Sequence, residues 1–249
     1  MKDEFAGLTA VITGAGSGIG LAVAQAFRER GATIYGLDLS QGEMAPYATF
    51  IQCDIGDPAS VTAVFAQLSS SVTAIDILAN NAGVGAVGNV EDASEEDWDR
   101  VLNINVVGTA RVTAAAMPLL RKSKSASIVN TCSIAATAGL PKRAVYSASK
   151  GAIMSLTLAM AADYVKEGIR VNAVNPGTAD TPWVGRLLAQ AADPVAERAA
   201  LEGRQPMGRL VSAAEVASAI SYLASPLQAS TTGTILAVDG GMHGLRLPK

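Results

Sequence analysis

Short apolar runs recur along the chain, and longer stretches with a helical pattern separate them. The runs are rich in Val and Ile and lack a period of two, which is typical of strands buried on both faces of a parallel sheet. The predicted strands are Thr9–Thr13, Thr33–Asp38, Phe50–Asp54, Ile75–Asn80, Ser127–Cys132, Arg170–Asn175 and Thr234–Val238. The helical stretches between them include Ile19–Glu29, Ser94–Leu120, Tyr146–Glu167 and Ala213–Ala224. This alternation predicts one doubly wound α/β domain over residues 1–249, with a seven-stranded, mostly parallel sheet flanked by helices on both faces.

Two segments depart from the regular alternation. The first, Asp38–Asp54, is short and contains Gly42 and Pro46, so we expect its helix to be abbreviated or missing. The second, Thr178–Pro206, is longer than a plain crossover needs and is expected to form a loop with short helices. Ligands bind near the carboxyl ends of the strands in such folds. The second segment, at about 178–206, is therefore a candidate lid over a substrate.

Composition and charge limit the classes of function. Of the 249 residues, 49% are hydrophobic and 16% are charged, which provides for a sizeable core and argues against disorder. The net charge of −3 does not indicate a nucleic-acid surface, and it leaves an anionic substrate open because a site can be locally basic. The first apolar run, at 8–13, is too short for a signal sequence, and no run is long enough for a membrane span. We therefore expect a soluble cytoplasmic protein.

The cysteine and histidine content argues against a metal site. Cys53 and Cys132 both lie in apolar, strand-like runs, so they are expected to be small buried hydrophobic residues rather than a disulfide or a metal pair. His243 is the only histidine of the chain, which argues against a histidine-based metal site or catalytic triad. No metal is predicted.

A glycine-rich turn stands between the first predicted strand and the first predicted helix. It reads Thr-Gly-Ala-Gly-Ser-Gly-Ile-Gly over residues 13–20. Glycines permit a tight turn and the close approach of a pyrophosphate, and the helix N-terminus offers free N–H groups and the positive end of a dipole. Such a turn is also common in ordinary loops, but the strand before it and the helix after it favour a dinucleotide site. Contacts are predicted for Gly14, Ser17, Gly18 and Ile19.

An acidic residue ends the second predicted strand. Asp38 lies 18 residues after Gly20, the last glycine of the turn. A carboxylate at this position accepts hydrogen bonds from the ribose hydroxyls of NAD and repels the 2′-phosphate of NADP. Its neighbours are Leu37 and Leu39, and the turn carries Ser17 in place of a basic residue. The alternative, a solvated loop aspartate, does not explain this position. The sequence therefore predicts NAD rather than NADP.

Polar and small residues also end the third and fourth predicted strands. An Asp-Ile pair at 54–55 ends the third, where a carboxylate can meet the adenine amino group. The run Asn-Asn-Ala-Gly at 80–83 ends the fourth, and its small residues allow the backbone to approach the adenosine ribose. Further cofactor contacts are therefore predicted for Asp54, Ile55, Asn81, Ala82 and Gly83.

A tyrosine and a lysine are spaced to share one helix face. Tyr146 and Lys150 are four residues apart, and side chains at this spacing are neighbours on a helix. The lysine ammonium and the positive charge of oxidised nicotinamide both favour the phenolate, which suits Tyr146 to proton transfer. On its own, this motif is a common accident on helices, so its weight depends on the residues around it.

Two more polar residues accompany this pair. Ser133 follows the fifth strand, where its hydroxyl can hold a substrate oxygen beside the phenol of Tyr146. Asn105 lies inside the helical pattern Ser94–Leu120, where an amide is unfavourable by propensity. We expect Asn105 to hold a water that connects Lys150 to solvent.

Together, these motifs resemble the short-chain dehydrogenase/reductase family over essentially the whole chain. The family's Thr-Gly-x-x-x-Gly-x-Gly is met at 13–20, its Asn-Asn-Ala-Gly at 80–83, and its Pro-Gly segment after the sixth strand at 176–178. The short segment between Asp38 and Asp54 departs from the usual length without removing a motif. The family's catalytic tetrad corresponds to Asn105, Ser133, Tyr146 and Lys150.

The resemblance implies a Rossmann fold and direct hydride transfer to or from C4 of nicotinamide. It also implies that the tyrosine is the acid or base, that no metal takes part and that the chain forms a homotetramer. Thr181 is placed to contact the carboxamide of the cofactor. Cofactor contacts implied by the resemblance are Tyr146, Lys150, Pro176, Gly177, Thr178 and Thr181.

Three arginines are candidate substrate ligands together with Ser133 and Tyr146. Arg143 lies three residues before Tyr146, and Arg186 and Arg204 fall in the candidate lid. Guanidinium groups suit bidentate binding of a carboxylate, although each arginine taken singly is expected at the surface. In the resemblance, Arg143 and Arg204 match two arginines that bind the substrate carboxylate in one subgroup of the family. This subgroup includes cytosolic-type 3-hydroxybutyrate and deoxy-sugar-acid dehydrogenases. Arg186 lies about one residue away from the position of the subgroup's third such arginine.

The function predicted from the sequence is therefore NAD-dependent oxidation or reduction of a small hydroxy or keto acid, with a sugar-derived acid as one candidate. The alternatives are a neutral sugar, polyol or alcohol as substrate, a 3-oxoacyl reductase, which Asp38 disfavours, and a non-catalytic nucleotide-binding protein.

The helix from Tyr146 onward consists of apolar or small residues on nearly all sides, so a second subunit is expected to cover one side of it.

Overall fold

Each predicted strand forms in the computed structural model, which describes residues 3–247. Residues 1–2 and 248–249 of the predicted domain lie outside this range. Strand ends differ from the predicted ends by at most two residues. The strands are β1 Thr9–Thr13, β2 Thr33–Asp38, β3 Thr49–Gln52, β4 Ile77–Asn80, β5 Ser127–Thr131, β6 Arg170–Pro176, β7 Ala179–Asp180, β8 Val211–Ser212 and β9 Ile235–Val238.

The main sheet has seven parallel strands in the order β3-β2-β1-β4-β5-β6-β9. The chain runs outward from β1 to β3, returns to the centre at β4 and then runs outward the other way. The short strands β7 and β8 pair with each other beside it. This topology confirms the predicted single Rossmann-like domain with a seven-stranded, doubly wound sheet.

Helices cover both faces of the sheet, as predicted. Ala10 and Ile12 of β1 belong to an apolar cluster that includes residues of the helices Gly18–Glu29 and Ala213–Ala224. Val11 belongs to a second cluster, with residues of the helices Pro58–Ser71 and Thr109–Leu120. All three are fully buried, which explains the apolar run without alternation. The helices are α1 Gly18–Glu29, α2 Pro58–Ser71, α3 Glu95–Leu102, α4 Thr109–Leu120, α5 Ala144–Tyr164, α6 Pro182–Ala189, α7 Pro194–Gly203 and α8 Ala213–Ala224.

The predicted helix Ser94–Leu120 is interrupted by a wider turn. A π-helical stretch, Asn103–Gly108, separates α3 from α4. Within it, the Asn105 carbonyl oxygen accepts a hydrogen bond of 2.8 Å from the Thr109 hydroxyl. The stretch allows the Asn105 side chain to turn inward. Such π-turns occur often at functional sites.

The segment between β2 and β3 has no helix, as predicted. It packs instead on the glycine turn, where the Glu43 N–H donates to the Gly16 carbonyl at 3.0 Å. Met44 is fully buried beside Gly36, where a Cβ would overlap its sulfur. The short segment therefore supports the turn that opens α1.

The candidate lid, residues 178–206, contains α6 and α7 and is a loop with short helices, as predicted. Its apolar residues Val184 and Leu201 form a small cluster with Leu210, separate from the two clusters on the faces of the sheet. An ion pair of 2.7 Å between Arg198 and Asp180 joins two parts of this segment to each other. The lid function itself stays a prediction.

A buried arginine closes the carboxyl end of α8. Arg170 is 7% exposed, and burial lowers the pKa of its guanidinium. Four hydrogen bonds join it to the carbonyl oxygens of Leu223, Ala224, Ser225 and Thr231. A cation here also suits the negative end of the helix dipole.

The two cysteines behave as the sequence predicts. Cys53 and Cys132 are buried and form no disulfide, and burial raises the pKa of both thiols.

Within residues 3–247, none of the helices combines the length and the hydropathy that crossing a membrane requires.

Candidate active site

A cavity of about 520 Å³ opens at the carboxyl ends of the strands, near the reversal of strand order between β1 and β4. Ligands of doubly wound folds bind at such a point. All predicted cofactor and substrate contacts line it, and Asn105 alone of the predicted tetrad does not. The predicted residues that line the cavity are Gly14, Ser17, Gly18, Ile19, Asp38, Asp54, Ile55, Asn81, Ala82, Gly83, Ser133, Arg143, Tyr146, Lys150, Pro176, Gly177, Thr178, Thr181, Arg186 and Arg204.

The glycine turn at the start of α1 requires its glycines. Gly14 has a φ of +68°, and a Cβ on it would lie 2.9 Å from the Cα of Ala82. Ser17 precedes the first turn of α1, and its side chain makes no capping hydrogen bond. The first turn also contains no acidic residue. Its N–H groups are therefore placed to receive an anion from the cavity.

A threonine and an asparagine join the glycine turn to the end of β4. The Thr13 hydroxyl accepts hydrogen bonds of 3.0 Å from the backbone N–H groups of Asn81 and Ala82. The Asn81 amide donates to the carbonyl oxygens of Thr13 and Gly14, both at 3.3 Å. These bonds hold the two loops together on opposite sides of the topological switch point.

The carboxylate of Asp38 lies over the glycine turn. One of its oxygens accepts the Gly16 N–H at 2.9 Å, and the other accepts the Leu39 N–H at 2.7 Å. These two bonds fix its orientation. The basic residues that line the cavity are Arg143, Lys150, Arg186 and Arg204, and all belong to or follow β5, so none comes from the glycine turn or from the chain around Asp38.

Tyr146 and Lys150 both lie on α5 and line the cavity, as their spacing predicts. The Lys150 Nζ is 5.8 Å from the centroid of the Tyr146 ring. It donates a hydrogen bond of 2.9 Å to the carbonyl oxygen of Thr131, at the end of β5, and Lys150 is 5% exposed. This bond fixes the position of the ammonium near the Tyr146 ring.

Ser133 lines the same cavity. It follows β5 and precedes a short 3₁₀ helix, Ile134–Ala136, whose Ala135 N–H donates to its hydroxyl at 3.2 Å. The hydroxyl proton is left to donate elsewhere. Ser133 and Tyr146 therefore line one cavity, and the placement of the hydroxyl beside the phenol stays a prediction.

Asn105 is buried behind the cavity wall. Its amide nitrogen donates to the Val84 carbonyl at 2.9 Å and to the Ser149 hydroxyl at 3.0 Å, and its oxygen accepts the Val84 N–H at 2.8 Å. A Cβ on Gly83 would lie 3.1 Å from this oxygen and 3.6 Å from the Lys150 Nζ. The side chain thus joins the loop after β4 to α5, and its contact with a water stays a prediction.

The three predicted substrate arginines approach the cavity from two directions. Arg143 is half-buried at the start of α5, donates to the Ala86 carbonyl at 3.2 Å and has a guanidinium pKa that burial lowers. Arg186 and Arg204 are exposed at the cavity rim. Within residues 3–247, none of the three forms an ion pair with a carboxylate.

The sequence-based interpretation missed an apolar part of the cavity. Trp183, at the start of α6, lies with its ring centroid 5.8 Å from the guanidinium carbon of Arg143. Further apolar residues of this part come from the β5–α5 loop and the lid and include Leu140, Leu187 and Leu201. No motif marks them, although a tryptophan in a chain with only two was an available signal.

A buried glutamine on the lid was also missed. Gln205 is 1% exposed, and its amide donates to the carbonyl oxygens of Thr178 at 3.2 Å and Arg209 at 2.9 Å. A Cβ on Gly177 would overlap its Oε1 atom. Gln205 therefore holds the Pro-Gly turn at the edge of the cavity.

Among the described residues, no three His, Cys, Asp or Glu side chains are grouped closely enough to hold a metal ion.

Comparison with known proteins places this geometry in a family. Residues 14–243 match the family described as enoyl-(acyl carrier protein) reductase. The chain is 36% identical to 2-(S)-hydroxypropyl-CoM dehydrogenase 3 of Xanthobacter autotrophicus, over 98% of this chain and all of that one. It is 37% identical to cis-4-hydroxycyclohexanecarboxylate dehydrogenase of Sinomonas cyclohexanicum, over 97% and 98% of the two chains.

A solved structure gives the same result. Ligand-free aldohexose dehydrogenase of Thermoplasma acidophilum superposes with a TM-score of 0.93 and 32% identity over all of both chains. These relatives match nearly the whole chain, including every strand of the main sheet and the cavity. The chain therefore belongs to the short-chain dehydrogenase/reductase family and is an oxidoreductase that acts on alcohol or ketone groups.

Proposed function

We propose that this chain is an NAD-dependent dehydrogenase of a small hydroxy acid, with Tyr146 as the group that accepts or donates the proton. The observation that carries the proposal is the group of three arginines around the cavity, of which Arg143 is half-buried. None of them forms an ion pair with a carboxylate among residues 3–247, whereas Arg198 nearby pairs with two carboxylates and Arg209 with one. A half-buried guanidinium that forms no ion pair favours an anion in the cavity.

The cavity wall fits a dinucleotide. The glycine turn leaves no room for a Cβ at Gly14, and the uncapped start of α1 favours a phosphate there. The fixed carboxylate of Asp38 favours ribose hydroxyls and opposes a 2′-phosphate, and no basic residue from its own part of the chain offsets it. The group to be held is therefore NAD rather than NADP.

The roles of the tetrad follow from their contacts. Bound NAD would supply the acceptor for the hydride that leaves the alcohol carbon. Tyr146 takes the hydroxyl proton, Ser133 donates a hydrogen bond to the substrate oxygen, and Lys150 supports the phenolate while its Nζ is held by the Thr131 carbonyl. Asn105 acts through Val84 and Ser149, so it is a positioning residue.

Names of relatives support both the proposal and one alternative. One relative is named for a hydroxycyclohexanecarboxylate, which is a hydroxy acid, and this favours the acid. The structural relative is named for an aldohexose, which favours a neutral sugar. The subgroup of 3-hydroxybutyrate and deoxy-sugar-acid dehydrogenases stays part of the proposal, and the 3-oxoacyl reductase is disfavoured by Asp38.

The test compares matched acids and neutral alcohols as substrates. NADH formation is measured by absorbance with 3-hydroxybutyrate against 2-butanol, and with hydroxycyclohexanecarboxylates against cyclohexanol, alongside aldohexoses and their acids. We expect the acids to have the higher kcat/KM, and Arg143→Ala to raise their KM by about tenfold to a hundredfold. Arg121→Ala, at an arginine paired with Glu167 away from the cavity, is the control.

The proton-transfer role has its own comparison. Tyr146→Phe is expected to lower kcat by about a hundredfold or more, and Tyr222→Phe, at an exposed residue of α8, is expected to leave it unchanged. Activity that survives Tyr146→Phe would contradict the mechanism. A chain that binds NAD and turns over no alcohol would favour the non-catalytic alternative.

We also propose that the chain forms a homotetramer in the cytoplasm and binds neither nucleic acid nor membrane. Helix α5 buries one side against the sheet and leaves Leu158 48% exposed. A second subunit would cover such a side chain. Light scattering at micromolar concentration tests the assembly, and a monomeric mass would contradict it.

A further inference from the structure

Resting on the proposed function, we infer that the substrate joins its anionic group to an apolar body, and that Trp183 is the residue that selects this body. A hydroxy acid with a hydrocarbon frame is thereby favoured over a polyhydroxylated sugar acid. The inference depends on the wall of the substrate end of the cavity, which is the part lined by the arginines, the lid and the β5–α5 loop.

The substrate end is rich in cationic and apolar side chains and poor in hydrogen-bond acceptors. Outside the predicted tetrad and cofactor contacts, its charged side chains are the three arginines, and the arginines and the indole N–H of Trp183 only donate hydrogen bonds. The carboxylates and the asparagine amide that line the cavity, Asp38, Asp54 and Asn81, belong to the cofactor end. Several sugar hydroxyls would lose their water partners here without replacement, which disfavours binding.

Trp183 is the largest apolar side chain of this wall. Its ring lies 5.8 Å from the Arg143 guanidinium carbon, a distance at which a cation and an indole attract each other. The ring also covers Gly85, where a Cβ would lie 2.8 Å from its Cζ2 atom. Trp183 therefore stands beside the anion-binding group, with Gly85 leaving the space that the indole occupies.

This arrangement gives Trp183 two effects on one ligand. It holds the Arg143 guanidinium in place for the anionic group, and it offers an apolar surface directly next to that group. Trp183 is still 39% exposed, so part of this surface is in contact with water before a ligand covers it. Covering it with a hydrocarbon frame is favourable in proportion to the apolar area removed from water, and covering it with hydroxyls is not.

Calorimetric titration of the NADH-loaded enzyme tests the inference without turnover, because NADH cannot oxidise an alcohol. The ligands are cyclohexanecarboxylate, its neutral amide, and quinate, which carries the same ring and carboxylate with four added hydroxyls. We expect cyclohexanecarboxylate to bind more tightly than either of the others by about tenfold or more.

Variants then assign the preference to the indole. Trp183→Ala is expected to raise the Kd of cyclohexanecarboxylate by about tenfold, and to change that of quinate by less than about threefold. Gly85→Ala is expected to act in the same direction, since its Cβ displaces the ring. Trp98→Phe, in α3 and outside the cavity wall, is the matched control and is expected to leave both Kd values unchanged. The Kd of NADH and the thermal unfolding of each variant report on folding.

The outcomes separate this inference from the proposed function. If quinate binds as tightly as cyclohexanecarboxylate, or if Trp183→Ala leaves the preference intact, the inference is overturned while NADH binding still stands. If the amide binds as tightly as the carboxylate, the anion part of the proposed function is wrong. If the wild-type chain does not bind NADH, the proposed function is contradicted, and the inference with it.

Discussion

The carboxylate of Asp38 is expected to decide which dinucleotide the chain uses. The variant to make is Asp38→Asn, which removes the charge and keeps the shape. An asparagine oxygen can still accept the Gly16 N–H, but its amide nitrogen cannot accept the Leu39 N–H. One hydrogen bond of the native pair is therefore lost, at a cost of about 1 kcal/mol.

The electrostatic effect is larger than this loss. Two unit charges about 4 Å apart repel by about 4 kcal/mol at a typical protein surface and by about 1 kcal/mol in bulk water. Asp38 is partly exposed, so about 2 kcal/mol of repulsion toward a 2′-phosphate is a reasonable middle value. Removing it should shift the ratio of kcat/KM for NAD over NADP by about thirtyfold toward NADP.

The assay measures kcat/KM with both cofactors and the best acid substrate, at low and at high salt. The shift should shrink as salt rises, because the interacting charges are near solvent. Asp54→Asn is the control, since its carboxylate also lines the cavity and accepts a backbone N–H, that of Gly56 at 2.8 Å. A ratio within about threefold of wild type in Asp38→Asn, or a wild-type preference for NADP, would refute the reasoning.

Three further predictions concern stability and pH. Arg170→Met should lower the free energy of unfolding, measured in denaturant, by about 3–5 kcal/mol, because four carbonyl oxygens lose a buried donor; a loss below about 1 kcal/mol would contradict this. The pKa of Glu215 is lowered from 4.5 to about 2, first by its hydrogen bond to Arg209, so its stabilising effect is complete above 4.5 and is lost as the pH falls toward 2. The difference in thermal stability between wild type and Glu215→Gln should therefore shrink over that range, and a constant difference would count against it. Gly177→Ala should destabilise the chain by about 2 kcal/mol because its Cβ overlaps Gln205, and Gln205→Ala in the same chain should offset part of that loss; additive losses would contradict the contact.

Much of the fold and of the cavity wall could be predicted from the sequence. The apolar runs have no alternation because both faces of the parallel sheet are buried, so each run was identified as a strand. The motifs at 13–20, 80–83 and 176–178 each follow such a run. Since parallel strands end at the same edge of a sheet, predicting the strands also brought these motifs together.

The interruption at Asn103–Gly108 was beyond a pattern-based prediction. The helical period continues through it, and only the inward-turned amide of Asn105, held by Val84 and Ser149, shows why the wider turn forms. Both partners are far from Asn105 in the sequence. A propensity argument could flag this asparagine as unusual without saying where its side chain points.

By itself, the sequence determined the order of strands and helices, the residues that end each strand and the spacing of Tyr146 and Lys150, because these depend on neighbours along the chain. The tertiary structure alone decided that Arg198 is paired with Asp180 while Arg143 is not, and that Trp183 lies beside Arg143. The sequence places Glu202 four residues after Arg198, the spacing of a helical ion pair, but nothing local indicates the pairing with Asp180 or the contact of Trp183 with Arg143. Ion pairing and ring contacts depend on which groups the fold brings within a few ångströms, and those groups come from separate parts of the chain.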